Sequence, residues 1–104
     1  MGFSINHEIF NHINSSPKYF SDGDLTFLYK SCDDNYLGFV LPRRLGAAHD
    51  RNLFKRRCRS IFQVMNKNKS LSNMGIIIKT KRINVPYKNI SGAFSGLSNN
   101  VSSK

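Results

Sequence analysis

The sequence predicts a small α+β fold in the order α-β-β-β-α-β-α, a two-layer sandwich of helices on a four-stranded sheet. Three observations predict it. "GIIIKT" at 75–80 is a short, solidly apolar run of the kind found in a strand covered on both faces. "LTFLYKS" (25–31) and "YLGFVLP" (36–42) are rich in strand formers and bounded by turn residues. From His49 to Asn66 the apolar residues recur with helical spacing instead. At 104 residues and 39% hydrophobic content, the chain suits one domain with one modest core.

The elements follow in order. Ser4 is placed to cap a short helix over 5–13, with Ile5, Ile9, Phe10 and Ile13 on one stripe. "NSSP" at 14–17 breaks it, and a short extended piece, Lys18 to Ser21, leads into the turn "DGD". Period-2 alternation then puts Leu25, Phe27 and Tyr29 on one face of a strand and Thr26, Leu28 and Lys30 on the other. The acidic turn "CDDN" connects to "YLGFVLP", and the two segments read as a hairpin. After the long helix, "NKNKSLSN" is a polar loop before "GIIIKT". "YKNISGAFSGL" (87–97) forms a weak last helix with Ile90, Ala93, Phe94 and Leu97 inward. Residues 1–98 are therefore expected to form a single domain, with 99–104 a frayed tail.

Net charge is +10 and the sequence pI is about 10.1. That balance favours a polyanionic partner, with nucleic acid ahead of an anionic membrane surface. No apolar run is long enough to span a bilayer, and "MGFSINHEIFNHI" lacks the basic lead and apolar block of a secretion signal. Cys32 and Cys58 lie far apart with no Cys-x-x-Cys spacing, which fits a reduced, cytoplasmic setting. The chain has only 6 acids, and Asp22, Asp24, Asp33 and Asp34 fall in turns, where aspartate commonly serves local hydrogen bonding. A protein centre that cleaves phosphodiesters with metal ions needs convergent carboxylates. This chain is poorly supplied for one.

The charge is concentrated in "GAAHDRNLFKRRCRSIF", Gly46 to Phe62. At roughly 100° per residue, Phe54, Cys58, Ile61, Phe62 and Met65 gather on one side of the helix. Arg51, Asn52, Lys55, Arg56 and Arg59 gather on the other, and Arg57 falls outside both groups. Like charges at i,i+4, as in Arg51–Lys55–Arg59, repel by a few tenths of a kcal/mol each, roughly. Every acid except Asp50 lies in the first 34 residues, so nothing nearby in sequence offsets them. With Arg43 and Arg44 just ahead, this is a phosphate-binding face, and arginine's planar fork suits phosphates and exposed bases.

The segment "PRRLGAAHDRNLFKRRCRSIF" resembles the signature of the bacterial ribonuclease P protein subunit. Arg43, Arg44, Gly46, Ala48, Arg51, Asn52, Lys55, Arg56, Arg59 and Phe62 match that signature position by position. "NHEIFNHI" resembles the family's first helix and "GIIIKT" the strand after its basic helix; the chain departs at Ala47, His49 and Ser60. The resemblance implies a ribosomal-protein-like fold with a left-handed β-α-β crossover, against the usual right-handed rule. It also implies a non-catalytic subunit of an endoribonuclease. The catalytic RNA subunit removes the 5′ leader of precursor tRNA with Mg²⁺, and the protein has no catalytic residues of its own. The RNA-binding set is then Arg43, Arg44, Arg51, Asn52, Lys55, Arg56 and Arg59. A cleft between the first helix and the sheet takes the single-stranded leader, with Phe10, Phe20, Thr26, Leu28 and Lys30 as its candidates.

Other readings fare less well. A ribosomal-type RNA-binding module without a processing role is the alternative. A KH backbone clamp needs a second glycine that "GAAH" lacks, and a helix-turn-helix needs a short helix where strand-like "YLGFVLP" stands.

Overall fold

A computed structural model describes residues 5–68 and 73–102. Helix α1 (His7–Asn14) precedes strands β1 (Lys18–Asp22), β2 (Leu25–Ser31) and β3 (Tyr36–Val40). A single 3₁₀ turn, Arg43–Leu45, then leads into α2 (Ala48–Lys67), followed by β4 (Met74–Thr80) and α3 (Tyr87–Ser102). The expected order of elements is the observed one.

The sheet runs β1-β2-β4-β3, with β3 and β4 parallel and the other neighbours antiparallel. Here the expected β2–β3 hairpin is corrected: β4 lies between those strands, and the hairpin is β1–β2. Gly23, at φ 61°, makes the "DGD" turn in a conformation glycine adopts without a Cβ clash. The physical reason is burial. Strand β4 is apolar on both faces through Ile76, Ile77 and Ile78, all fully buried, and only a central position covers both sides of such a strand.

Helices α2 and α3 cover one face. Their core holds Leu25, Phe27, Tyr29, Ile76 and Ile78 from the sheet against Phe54, Cys58, Phe62, Ile90, Phe94 and Leu97. Each such side chain contributes about 1.5–3 kcal/mol on full burial. Helix α1 lies on the opposite face, where Ile13, Leu28 and Ile77 are buried and Ile5, Ile9, Phe10 and Val40 pack around them. Two strand glycines make room for it. A Cβ at Gly75 would stand 2.5 Å from Ile13, and one at Gly38 would stand 2.8 Å from Ile5.

Two boundaries differ from expectation. The cap of α1 is Asn6, whose Oδ1 accepts the Ile9 N–H at 2.8 Å; Ser4 lies outside the described residues. Part of the "NKNKSLSN" loop, 69–72, also lies outside them. Helix α3 continues to Ser102, so 99–102 of the expected tail are helical, and 103–104 lie outside the described residues. Val101 packs on the core, and the Asn100 side chain donates to the Tyr29 hydroxyl at 3.0 Å. Those contacts hold a segment whose Ser/Asn composition alone predicts fraying.

Candidate nucleic-acid interface

Helix α2 is anchored by its buried side, Phe54, Cys58, Ile61 and Phe62. Burial pushes the Cys58 thiol up to about 12, so it stays protonated and acts as a small core hydrophobe. With that side fixed to the sheet, the helical period turns the basic residues outward. Asn52, Arg56 and Arg59 are exposed, Arg51 and Lys55 half-buried. Arg43 and Arg44 are exposed on the 3₁₀ turn that feeds the helix.

The details hold this face in place. The Arg51 Nε–H donates to the Gly46 carbonyl at 3.2 Å, fixing that guanidinium at the helix entrance while its other nitrogens remain for a ligand. The Arg59 guanidinium sits 5.6 Å from the centroid of the Phe39 ring, a cation–π distance. Among the described residues the ion pairs are His49–Asp50 and Arg82–Asp24, so no basic residue of this face is neutralised by a protein acid. Ala47 stands at the N-cap and has no side-chain acceptor for the first-turn N–H groups, while Asp50 in that turn complements the helix dipole. Arg57 has a different task. Its Nη1 donates to the Val85 carbonyl at 3.2 Å and ties α2 to the segment after β4.

The expected cleft residues do not all come together. Thr26, Leu28 and Lys30 share the α1 side of the sheet, and Phe10 packs there from α1. Phe20 does not belong to this set. It pairs with Phe27 across β1–β2 and lies on the α3 side, its ring 6.3 Å from that of Phe27 and within reach of Gly96. Strand alternation decides this, because the β1–β2 register puts Tyr19, not Phe20, beside Leu28. Leu28 is 1% exposed and forms a closed floor under α1. Lys30 is also engaged: its Nζ donates to the carbonyls of His12 (3.2 Å) and Ser15 (2.5 Å).

What stays open on this face is the strip beyond α1. A hollow of about 230 Å³ is lined by Tyr19, Asp24, Thr26, Leu28, Lys79, Thr80 and Lys81. Tyr19 is 64% exposed, and Lys79 pairs with Thr26 on one side and Val40 on the other. An exposed ring, a hydroxyl and two lysines suit a sequence-tolerant grip on an unpaired strand. Tyr19, Lys79 and Lys81 were not among the expected site residues; the β1–β2 register was the signal that points to Tyr19.

Among the described residues no group of three or more His, Cys, Asp or Glu side chains converges as a metal site, and no helix is long and apolar enough to cross a membrane. A family model described as Ribonuclease P matches residues 5–101. The structure of the RNase P protein of Staphylococcus aureus is similar at TM-score 0.78 and 18% identity, covering 97% of this chain and 96% of that one. The RNase P protein from Thermotoga maritima is similar at TM-score 0.77 and 22% identity, covering 93% and 96%. No curated protein matches the chain.

Proposed function

This chain belongs to the Ribonuclease P family, matched over residues 5–101, and we propose that it holds the catalytic RNA and the 5′ leader of precursor tRNA while the RNA removes that leader. Family membership makes it a component of the ribonuclease P holoenzyme, concerned with tRNA processing and partnered there by RNA. The observation that carries the finer reading is the one-sided basic face of α2, pinned by a buried apolar side and without an acid partner among the described residues.

On this reading Arg43, Arg44, Arg51, Asn52, Lys55, Arg56 and Arg59 contact phosphates of the catalytic RNA. On the same reading the hydrolysis and its Mg²⁺ belong to the RNA subunit of this cytoplasmic endonuclease, because cleavage by metal ions held on protein calls for convergent carboxylates and this chain has 6 acids, most of them in or beside turns. What the protein supplies is phosphate neutralisation and an additional grip on a single strand. Phe10, Tyr19, Thr26 and Lys79 provide that grip, with Leu28 beneath them. A grip on the leader is available to precursor and not to mature tRNA, so it separates substrate from product.

Tyr19→Ala tests the grip without disturbing the core. Affinity of the holoenzyme for precursor carrying a leader of several nucleotides is expected to fall by roughly five- to a hundredfold, the worth of one stacked base. Mature tRNA affinity should stay unchanged. Equal losses for both ligands would place the strand elsewhere.

A further inference from the structure

We infer that Lys30 is a positioning residue: it clamps the C-terminal end of α1 onto the sheet and so sets the wall of the leader groove, rather than meeting phosphate itself. The inference rests on the leader reading above and deepens it.

Helix α1 has 8 residues, too few turns to persist on helical propensity alone, so its place depends on tertiary ties. Its apolar ties lie along one stripe, Ile5, Ile9, Phe10 and Ile13 against Leu28 and Ile77. These contacts and the notches at Gly38 and Gly75 seat the helix on the sheet, but hydrophobic attraction is itself non-directional and supplies no hydrogen bond that fixes the helix end. Direction comes from its C-terminal end. The chain leaves α1 through Ser15 and turns sharply at Ser16, φ 60°, before Pro17. At that end the carbonyls lack intrahelical partners and the helix dipole is negative.

The Lys30 ammonium meets both needs at once, donating to the His12 carbonyl at 3.2 Å and the Ser15 carbonyl at 2.5 Å. Its cross-strand neighbour is Gly75, whose missing side chain leaves the space that Ile13 fills beside the lysine stem. A second tie runs in parallel, the His12 Nε2 donating to the Ser31 carbonyl at 3.2 Å. Strand β2 thus grips the end of α1 through two consecutive residues. Two of the ammonium's three donors are committed to the protein.

Lys30→Met keeps the stem and removes the donors; Lys30→Arg keeps a cation and donors. In the free protein, amide hydrogen exchange in α1 should quicken roughly tenfold in Lys30→Met, with the other elements unchanged. With the holoenzyme, affinity for leader-bearing precursor should fall roughly three- to tenfold, mature tRNA affinity should hold, and the salt slope should not move. Lys30→Arg should restore both protection and affinity. If the salt slope drops by about 0.7, the value of one single-strand phosphate, while α1 stays protected, Lys30 is a phosphate contact and the inference falls. It falls equally if α1 loosens with no loss of precursor affinity, or if neither readout moves. The exchange readout needs no RNA, so failure of the leader reading itself would show separately, as Tyr19→Ala losing no discrimination.

Discussion

Replacing Arg51, Lys55 and Arg59 together by alanine is expected to weaken binding to the catalytic RNA on the order of a hundredfold, from charge-assisted hydrogen bonds lost on one face. The salt dependence should flatten by roughly two to three log–log units, since each neutralised phosphate contributes about 0.9 to the slope. These residues stand one helical turn apart on the basic side of α2, and among the described residues no carboxylate is paired with them. Arg57→Ala is the control. Its guanidinium is tied to Val85, so its loss should loosen that packing and leave the slope unchanged. Titrating the RNA at several salt concentrations measures both variants, and an unchanged slope in the triple variant would mean that the face meets solvent alone.

Phe62→Ala should cost about 3–5 kcal/mol of folding stability, the range for removing a buried aromatic ring. Phe62 is fully buried, and its ring centroid lies 6.4 Å from that of Phe94 on α3. The loss therefore opens a cavity between both helices and the sheet. Marginal stabilities of 5–15 kcal/mol are usual for domains, so this one ring is a large share of the whole. Denaturant unfolding measures it, and a shift below about 1 kcal/mol would contradict the packing of α2 described above.

Much of this architecture was legible before the structure. The helical period from His49 to Asn66 separated Phe54, Cys58, Ile61 and Phe62 from the arginines, and burial divides them in the same way. Alternation in β2 puts Leu25, Phe27 and Tyr29 on one face, and that face packs into the core under α2 and α3. Strand order was harder, because adjacency along the chain favoured pairing β2 with β3. The doubly apolar "GIIIKT" held the contrary signal, that β4 belongs in the middle. Phe20 was misplaced for a related reason: which face a short edge strand presents depends on register, and one residue of register exchanges Phe20 for Tyr19. The role of Lys30 was not legible at all. Its partners are backbone carbonyls 15 and 18 residues away, and composition carries no trace of them.

The central claim, a protein that assists RNA chemistry without performing it, is tested most directly by precursor cleavage at limiting Mg²⁺. The reaction is run with purified protein alone, with catalytic RNA alone and with both. The expected result is no cleavage by the protein, slow cleavage by the RNA, and faster cleavage by the pair, with part of the gain lost when the leader is trimmed to a single nucleotide and the part due to phosphate neutralisation kept. Cleavage of precursor by the protein free of any RNA would contradict the account.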